Sequence, residues 1–253
     1  MFDLKVTVKS NKKITPHLWI LSFESSKLAR KLIPGHFLEF KFNNSNDPYL
    51  RRPFSVYKIK GNTIEVLYEI VGTGTRLMSE MKKGDTLLSL GPLGNTFTPM
   101  KSKKTIFVGG GVGTAPLIFL SQRQKFHKGF FGFRDRPRVL PKKELTGKPS
   151  QWTYATNDGS VGFKGFVTQP LEKLFKQSKN CDDYFVYTCG PTPMLYEVAR
   201  ICQKYGVEGE ISVEERMGCG VGACLGCVVK TRSQGYVPSC KLGPVFRIND
   251  LDM

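Results

Sequence analysis

Cys219, Cys224, Cys227 and Cys240 lie near the C-terminal end, in MGCGVGACLGCVVKTRSQGYVPSC, with the spacing C-x4-C-x2-C-x12-C. A loop carrying three of these thiols must turn tightly, and a returning segment must bring the fourth into the same small volume. The first three have the C-x4-C-x2-C spacing of a [2Fe–2S] ligand set. Gly218, Gly220, Gly222 and Gly226 surround them. Glycine lets backbone approach a cluster closely and turn N–H groups toward its sulfurs. Two other uses of cysteine compete. Structural zinc usually takes two C-x2-C-like pairs, and only Cys224 and Cys227 form one. Disulfides suit an even count in a secreted chain, and here there are 7 cysteines. The pattern therefore points to a cluster, with Cys219, Cys224, Cys227 and Cys240 as its ligands.

A chain of 253 residues has room for two domains, each with its own core. The start, MFDLKVTVKSNKK, lacks the apolar stretch of a secretory leader. The longest apolar stretch, Thr105 to Leu120, is glycine-rich, contains Pro116 and is too short for a membrane span. A cytoplasmic, reducing compartment is expected, which suits thiolates held for metal. The formal charge of +17 raises nucleic-acid binding as a possibility. However, the denser basic patches (Lys101 to Lys104, Arg134 to Lys143, Lys173 to Lys179) coincide with no nucleic-acid motif. A solvated basic surface, suited to an acidic partner or an anionic substrate, is the expectation, with neither nucleic acid nor membrane as partner.

Residues 1–98 read as β-rich. Short runs such as Leu4 to Val8, Leu18 to Phe23, Phe37 to Phe42, Phe54 to Tyr57 and Thr63 to Tyr68 are separated by turn signals at Pro34-Gly35, Asn43 to Pro48, Gly61-Asn62 and Lys83 to Asp85. Six or so such strands predict a small antiparallel barrel, with one short helix over Gly74 to Met81. From residue 99 the pattern changes. A buried strand at Lys104 to Val108, a helix over Thr114 to Phe126, strands at Gly129 to Phe133, Gln151 to Thr156 and Asp183 to Thr188, and a helix over Met194 to Tyr205 predict a Rossmann-like α/β domain. The expected division is 1–98, 99–209 and a cysteine-bearing subdomain at 210–253: an α+β, two-domain chain with a small C-terminal addition.

Gly109, Gly110, Gly111 and Gly113 join the first α/β strand to its helix. Such a turn can approach a pyrophosphate, and the helix N-terminus offers it free N–H groups. The same pattern can also be only a tight turn. No acidic residue stands out as a ribose reader; Arg134 and Arg136 are the visible groups there. Cys189-Gly190-Pro191 ends another strand, where Cys189 is either beside a nicotinamide or a buried small hydrophobe. Cys181 and Cys202 sit in no motif. In the barrel half, Arg51-Arg52-Pro53-Phe54-Ser55 combines an arginine fork for a pyrophosphate with an aromatic and a hydroxyl suited to a flavin. Gly72-Thr73-Gly74-Thr75 opens the short helix and can offer backbone N–H groups to phosphate.

Together these residues resemble the ferredoxin–NADP reductase superfamily, and within it the electron-transfer subunits of bacterial NAD-dependent dihydroorotate dehydrogenase. The resemblance spans essentially the whole chain. It runs through Arg52-Pro53-Phe54-Ser55, Leu67-Tyr68-Glu69 with Gly74-Thr75, Gly91 to Asn95, Gly109 to Leu117, Asn157 to Ser160, Cys189-Gly190-Pro191, Glu214 through Cys227, Cys240 and Gly243 to Phe246. It implies that Arg52 binds the FAD pyrophosphate and that Pro53, Phe54 and Ser55 line the isoalloxazine. Leu67, Tyr68 and Glu69 would add backbone and ring contacts, and Gly74 and Thr75 would close on the pyrophosphate. One departure is Lys241-Leu242, where an acidic residue is expected before Gly243.

The function the resemblance implies is a relay. A partner subunit carrying FMN oxidises dihydroorotate, and electrons pass through the [2Fe–2S] cluster and FAD of this chain to NAD, in a heterotetramer of two of each subunit serving pyrimidine synthesis. Subunits of sulfide dehydrogenase or of NADH-dependent ferredoxin:NADP oxidoreductase share this three-part organisation and are the nearest alternatives. A zinc-bearing interaction module is the alternative from outside the enzymes.

Overall fold

Residues 2–93 roll into a closed antiparallel barrel of order β1-β2-β5-β4-β3-β6. Its strands are β1 (Phe2–Lys13), β2 (Leu18–Glu24), β3 (Phe37–Lys41), β4 (Arg52–Lys60), β5 (Thr63–Glu69) and β6 (Thr86–Leu93), with short helices α1 (Ser26–Ala29) and α2 (Thr73–Glu80) between them. These features come from a computed structural model that describes residues 1–42 and 48–252. The expected turn from Asn43 to Pro48 therefore falls almost wholly outside the described residues. The barrel forms because its strands alternate: Val6 and Val8 of β1 are buried while Lys5, Thr7 and Lys9 face out. Its interior is filled by Phe23, Leu38, Phe40, Val56, Ile64 and Val66, among others.

The second half is a seven-stranded sheet of order β10-β9-β8-β7-β11-β12-β15. Its strands are β7 (Lys104–Gly110), β8 (Lys128–Phe133), β9 (Trp152–Thr156), β10 (Phe163–Lys164), β11 (Tyr184–Cys189), β12 (Glu208–Ser212) and β15 (Val245–Arg247), connected through α3 (Thr114–Ser121), α4 (Thr168–Gln177) and α5 (Thr192–Tyr205). Only β15 runs antiparallel, along β12. The chain proceeds outward from β7 to β10, then crosses back to β11 on the other side of β7. The switch point for ligands thus lies between β7 and β11. Beyond β12 come the cysteine loop, a hairpin of β13 (Val228–Thr231) and β14 (Gly235–Pro238), and a single turn α6 (Ser239–Leu242) that carries Cys240.

The helix after the glycine turn is shorter than the predicted Thr114 to Phe126. It ends at Ser121, and Phe126 turns back to stack on Phe107 with ring centroids 4.9 Å apart. Helix α3 is apolar on every side because it is buried on every side. Phe119 joins the barrel core, while Ala115, Leu117, Ile118 and Leu120 join a second core shared by barrel residues Leu18, Tyr57 and Leu67 and sheet residues Phe107 and Tyr187. Helix α4 has no counterpart among the expected elements. Its buried face is only Thr168, Leu171 and Phe175, set among lysines that read as a basic patch.

Candidate redox site

Two cavities open where barrel and sheet meet. The first, of about 340 Å³, is bordered by Arg52, Pro53, Phe54 and Ser55 from β4, Leu67, Tyr68 and Glu69 from β5, and Thr75 from α2. Of the residues the resemblance assigns to FAD, all but Gly74 border this one cleft. Gly74 lies against the arginine: a Cβ there would come within 3.0 Å of Arg52 Cγ. The Thr75 hydroxyl is turned to the chain itself, accepting from the N–H of Val71 at 2.9 Å and of Gly72 at 3.1 Å. It shapes the turn and leaves the N-terminal N–H groups of α2 to receive an anion. Phe54 reaches the cleft only with its rim, since its ring stacks on Phe40 at 5.2 Å in the barrel core. Tyr68 is fixed by donating from its hydroxyl to Asn11 Oδ1 at 2.9 Å.

The far wall of the cleft comes from the other half of the chain: Ser212, Val213, Glu214, Glu215 and Met217, with Val112 and Ala115 from the glycine turn and α3. In the sequence Glu214 stands only as the first residue of the Glu214 to Cys227 stretch. It stands at the mouth of the cleft just past β12, and loss of hydration among the surrounding protein atoms pushes its carboxyl upward. Cys189 lies behind it at the end of β11, level with Ser212. Cys189 is buried and borders neither cavity described here, and burial, reinforced by the charge of Glu214, holds it as a neutral thiol.

The second cavity, about 700 Å³, lies at the switch point. Its walls include Gly110, Gly111, Arg134, Arg138, Asn157, Phe166 and Pro191. The glycines of the turn divide the work. Gly111 takes φ +54, and at Gly113 a Cβ would meet the Gly190 backbone at 2.6 Å, so the turns after β7 and β11 touch. Gly109 instead packs against Phe131 and Thr114. Arg134 borders the cavity, whereas Arg136 is directed to Ser160, donating to its carbonyl at 2.7 Å. Arg138 joins the two halves at this cavity, as Lys58 does elsewhere through Glu144. Arg138 bonds Asp135 Oδ2 at 2.6 Å and reaches Glu69 Oε1 at 3.2 Å, and Glu69 borders both cavities. Phe166, 66 % exposed, stands at the rim with a face free for a flat ring.

The thiol loop is seated on the outer wall of the barrel. Cys227 and Cys240 pack against Phe37 and Leu93, with Leu90 and Met217 at the edge. Phe37 also borders the first cavity, so one aromatic ring separates cleft from thiols. Backbone N–H groups aim at the sulfurs: Gly222 at Cys240 Sγ (3.1 Å), Ala223 and Cys224 at Cys219 Sγ (3.3 and 3.4 Å), and Cys240 at Cys227 Sγ (3.4 Å). Burial works against ionisation of Cys219, but donation from the backbone of Val221, Cys224 and Ala223 and from the Cys224 side chain brings it down to about 6. Burial and the neighbouring Cys227 push Cys240 upward. Among the described residues no three His, Cys, Asp or Glu side chains are drawn around a single-ion position. Cys219, Cys224 and Cys227 lie along a loop ringed with N–H donors and α6 brings Cys240 beside Cys227, which fits a group that spreads four ligands over two irons and accepts hydrogen bonds at sulfur. Lys241 lays its stem over this loop, its Cδ 2.7 Å from a Cβ built at Gly222.

An antiparallel barrel with a phosphate-ready cleft, joined at a switch point to a parallel dinucleotide sheet, is the fold of a flavin- and NAD-dependent reductase, here with its own iron–sulfur domain. Residues 214–252 match the family model described as the iron-sulfur cluster binding domain of dihydroorotate dehydrogenase B. Curated proteins called dihydroorotate dehydrogenase B (NAD(+)), electron transfer subunit, are similar over nearly their full length. The one from Desulforamulus reducens is 37% identical over 97% of this chain and 96% of its own. The one from Caldanaerobacter subterraneus subsp. tengcongensis is 38% identical over the same shares. The chain belongs to this family of electron transfer subunits. Among solved structures, an NADH-dependent reduced ferredoxin-NADP oxidoreductase, described for flavin-based electron bifurcation, superposes with TM-score 0.84 at 25% identity, over 98% of this chain and 89% of that one. A ferredoxin-NADP+ reductase from Plasmodium falciparum shares the fold at TM-score 0.67 and 17% identity, over 83% of this chain and 96% of that one.

Proposed function

We propose that this chain carries electrons from a dihydroorotate-oxidising partner subunit, through a [2Fe–2S] cluster and FAD, to NAD in pyrimidine synthesis. The observation that carries the proposal is Phe37, which borders the flavin cleft on one side and packs on Cys227 and Cys240 on the other. The work divides along the chain, with FAD on residues 1–98, NAD on 99–209 and the cluster on 210–253. The partner carries FMN, the complex contains two of each subunit, and its setting is the cytoplasm. Among the described residues no helix is long and apolar enough to cross a membrane.

Arg52, Gly74 and the start of α2 hold the pyrophosphate of FAD, while Pro53, Ser55 and the Leu67–Glu69 segment border its ring. Cys219, Cys224, Cys227 and Cys240 hold the cluster. Gly110 and Gly111 receive the pyrophosphate of NAD, Gly109 and Gly113 let the turn pack, and Cys189 supports the nicotinamide end from behind. Bound FAD supplies the exchange between single electrons and hydride. Electrons arriving singly carry no proton, whereas a departing hydride takes one proton with two electrons. One proton per turnover must therefore enter through the chain, and Glu214 at the cleft mouth is placed to hold it.

The test is Cys224→Ser in the complex purified through this chain. Dihydroorotate-driven NAD reduction should stop while NADH still bleaches the FAD, a diaphorase-like activity belonging to this chain alone. Full dihydroorotate-to-NAD flow in that variant would refute the relay. A wild-type complex that NADH reduces but dihydroorotate does not would move the chain to a complex of the bifurcating kind.

A further inference from the structure

Glu39 lies in the middle of β3 with no exposed surface. Neither carboxyl oxygen has a hydrogen-bond partner, a costly state for a buried polar group. Phe40 on its one side fills the barrel; Glu39 points the other way, off the outer face. There its carboxyl rests on the bare backbone of Gly220 in the thiol loop. A Cβ at Gly220 would lie 2.6 Å from the carboxyl carbon and from Oε2, and 2.9 Å from Oε1. Gly220 takes φ +67, so the residue that makes the turn between Cys219 and Cys224 is also the one that leaves room for this side chain. In register, Glu39 pairs with Pro53, which borders the flavin cleft, and with Leu90, which packs beside Cys227 and Cys240. The carboxyl thus sits in the wall between the two redox positions. The positive group nearest in influence is Arg51, tied through Nη2 to Asp3 at 2.7 Å, whose buried Nη1 has no partner either.

We propose that Glu39 is a positioning residue of the electron path, whose carboxyl seats the Gly220 turn and sets the reduction potential of the cluster held by that loop. The proposal rests on the cluster assignment above. Buried groups just outside a metal site orient its ligands and tune it, with effects out of proportion to their distance. Burial raises the Glu39 carboxyl to about 7; ionised above that, at the pH 8 of the comparison below, it is acceptor-only and disfavours added electron density at the sulfurs. A carboxamide of the same shape removes the negative charge, keeps one acceptor oxygen and brings N–H donors, and the lost charge and the new donors both favour the reduced cluster.

The experiment is an EPR-monitored redox titration of the intact complex at pH 8, wild type against Glu39→Gln and Glu39→Asp. The expected result is a midpoint shifted to more positive potential in Glu39→Gln, and by less in Glu39→Asp, where the shorter chain draws the carboxyl back from Gly220. Iron content and FAD absorbance should stay at wild-type levels. A merely structural role would change cluster occupancy without moving the midpoint of what remains. An unmoved midpoint in whichever variant folds overturns the proposal. A wild-type complex without a [2Fe–2S] signal would instead overturn the cluster assignment itself, so the two failures are distinct.

Discussion

Asn95 and Val245 hold each other through a closed pair of hydrogen bonds. The Val245 N–H donates to Asn95 Oδ1 at 2.9 Å, and Asn95 Nδ2 donates to the Val245 carbonyl at 2.7 Å. The same amide also reaches the Leu242 carbonyl at 2.9 Å. One side chain at the end of the barrel therefore fixes the segment that follows the last cysteine, and through it the position of Cys240.

Asn95→Ala should remove those bonds and leave part-buried backbone groups unpaired, a loss of about 2 to 3 kcal/mol. Urea unfolding of the complex should show a lower midpoint, and iron analysis a reduced cluster content with FAD retained. Unchanged iron content would mean that Cys240 is held by other contacts.

Arg52→Ala should weaken FAD binding by about ten- to a hundredfold, the worth of charge-assisted bonds to a pyrophosphate. Flavin fluorescence on dilution reads this directly. The barrel should be intact, because among the described residues the Arg52 guanidinium bonds only nearby carbonyls, of Leu50 and Arg51. Wild-type retention of FAD would remove Arg52 from the pyrophosphate site.

Glu214→Gln should slow dihydroorotate-driven NAD reduction by about a hundredfold, the lower range for loss of a positioned proton donor. Glu214 is exposed at the cleft mouth, yet the protein atoms around its carboxyl disfavour its charge and push it upward, so it keeps its proton to higher pH than an ordinary glutamate. Proton supply is then full below its pKa and fails as pH rises through it. The wild-type rate should fall along that alkaline limb, and the limb should be missing from the variant. Matching rates and pH profiles would show that the proton enters elsewhere.

The parts legible in the sequence are those whose chemistry is local. Cysteine spacing, the glycine turn after a buried strand and the alternation of β1 to β6 are each set by near neighbours along the chain. Glu39 was not legible, because in Phe37-Leu38-Glu39-Phe40-Lys41 it has the alternation of an outward-facing polar residue on a half-exposed strand. Only the thiol loop, arriving from the other end of the chain, buries it. Glu214 carries no local signal either, since the cleft it faces is walled by β4 and β5, far away along the chain. Ser121 ends α3 earlier than apolar content suggests, because Phe126 finds a better partner in Phe107 and Trp152 than in another helical turn.

Helix α3, with Phe119 in one core and its neighbours in the other, has a consequence for how members of this family can be recombined. A chimera joining the barrel of one relative to the sheet of another at the apparent boundary would place α3 with the sheet and leave a foreign residue in the barrel interior at Phe119. A workable crossover has to carry α3 together with the inner faces of both halves, so the unit that can be exchanged is larger than either lobe.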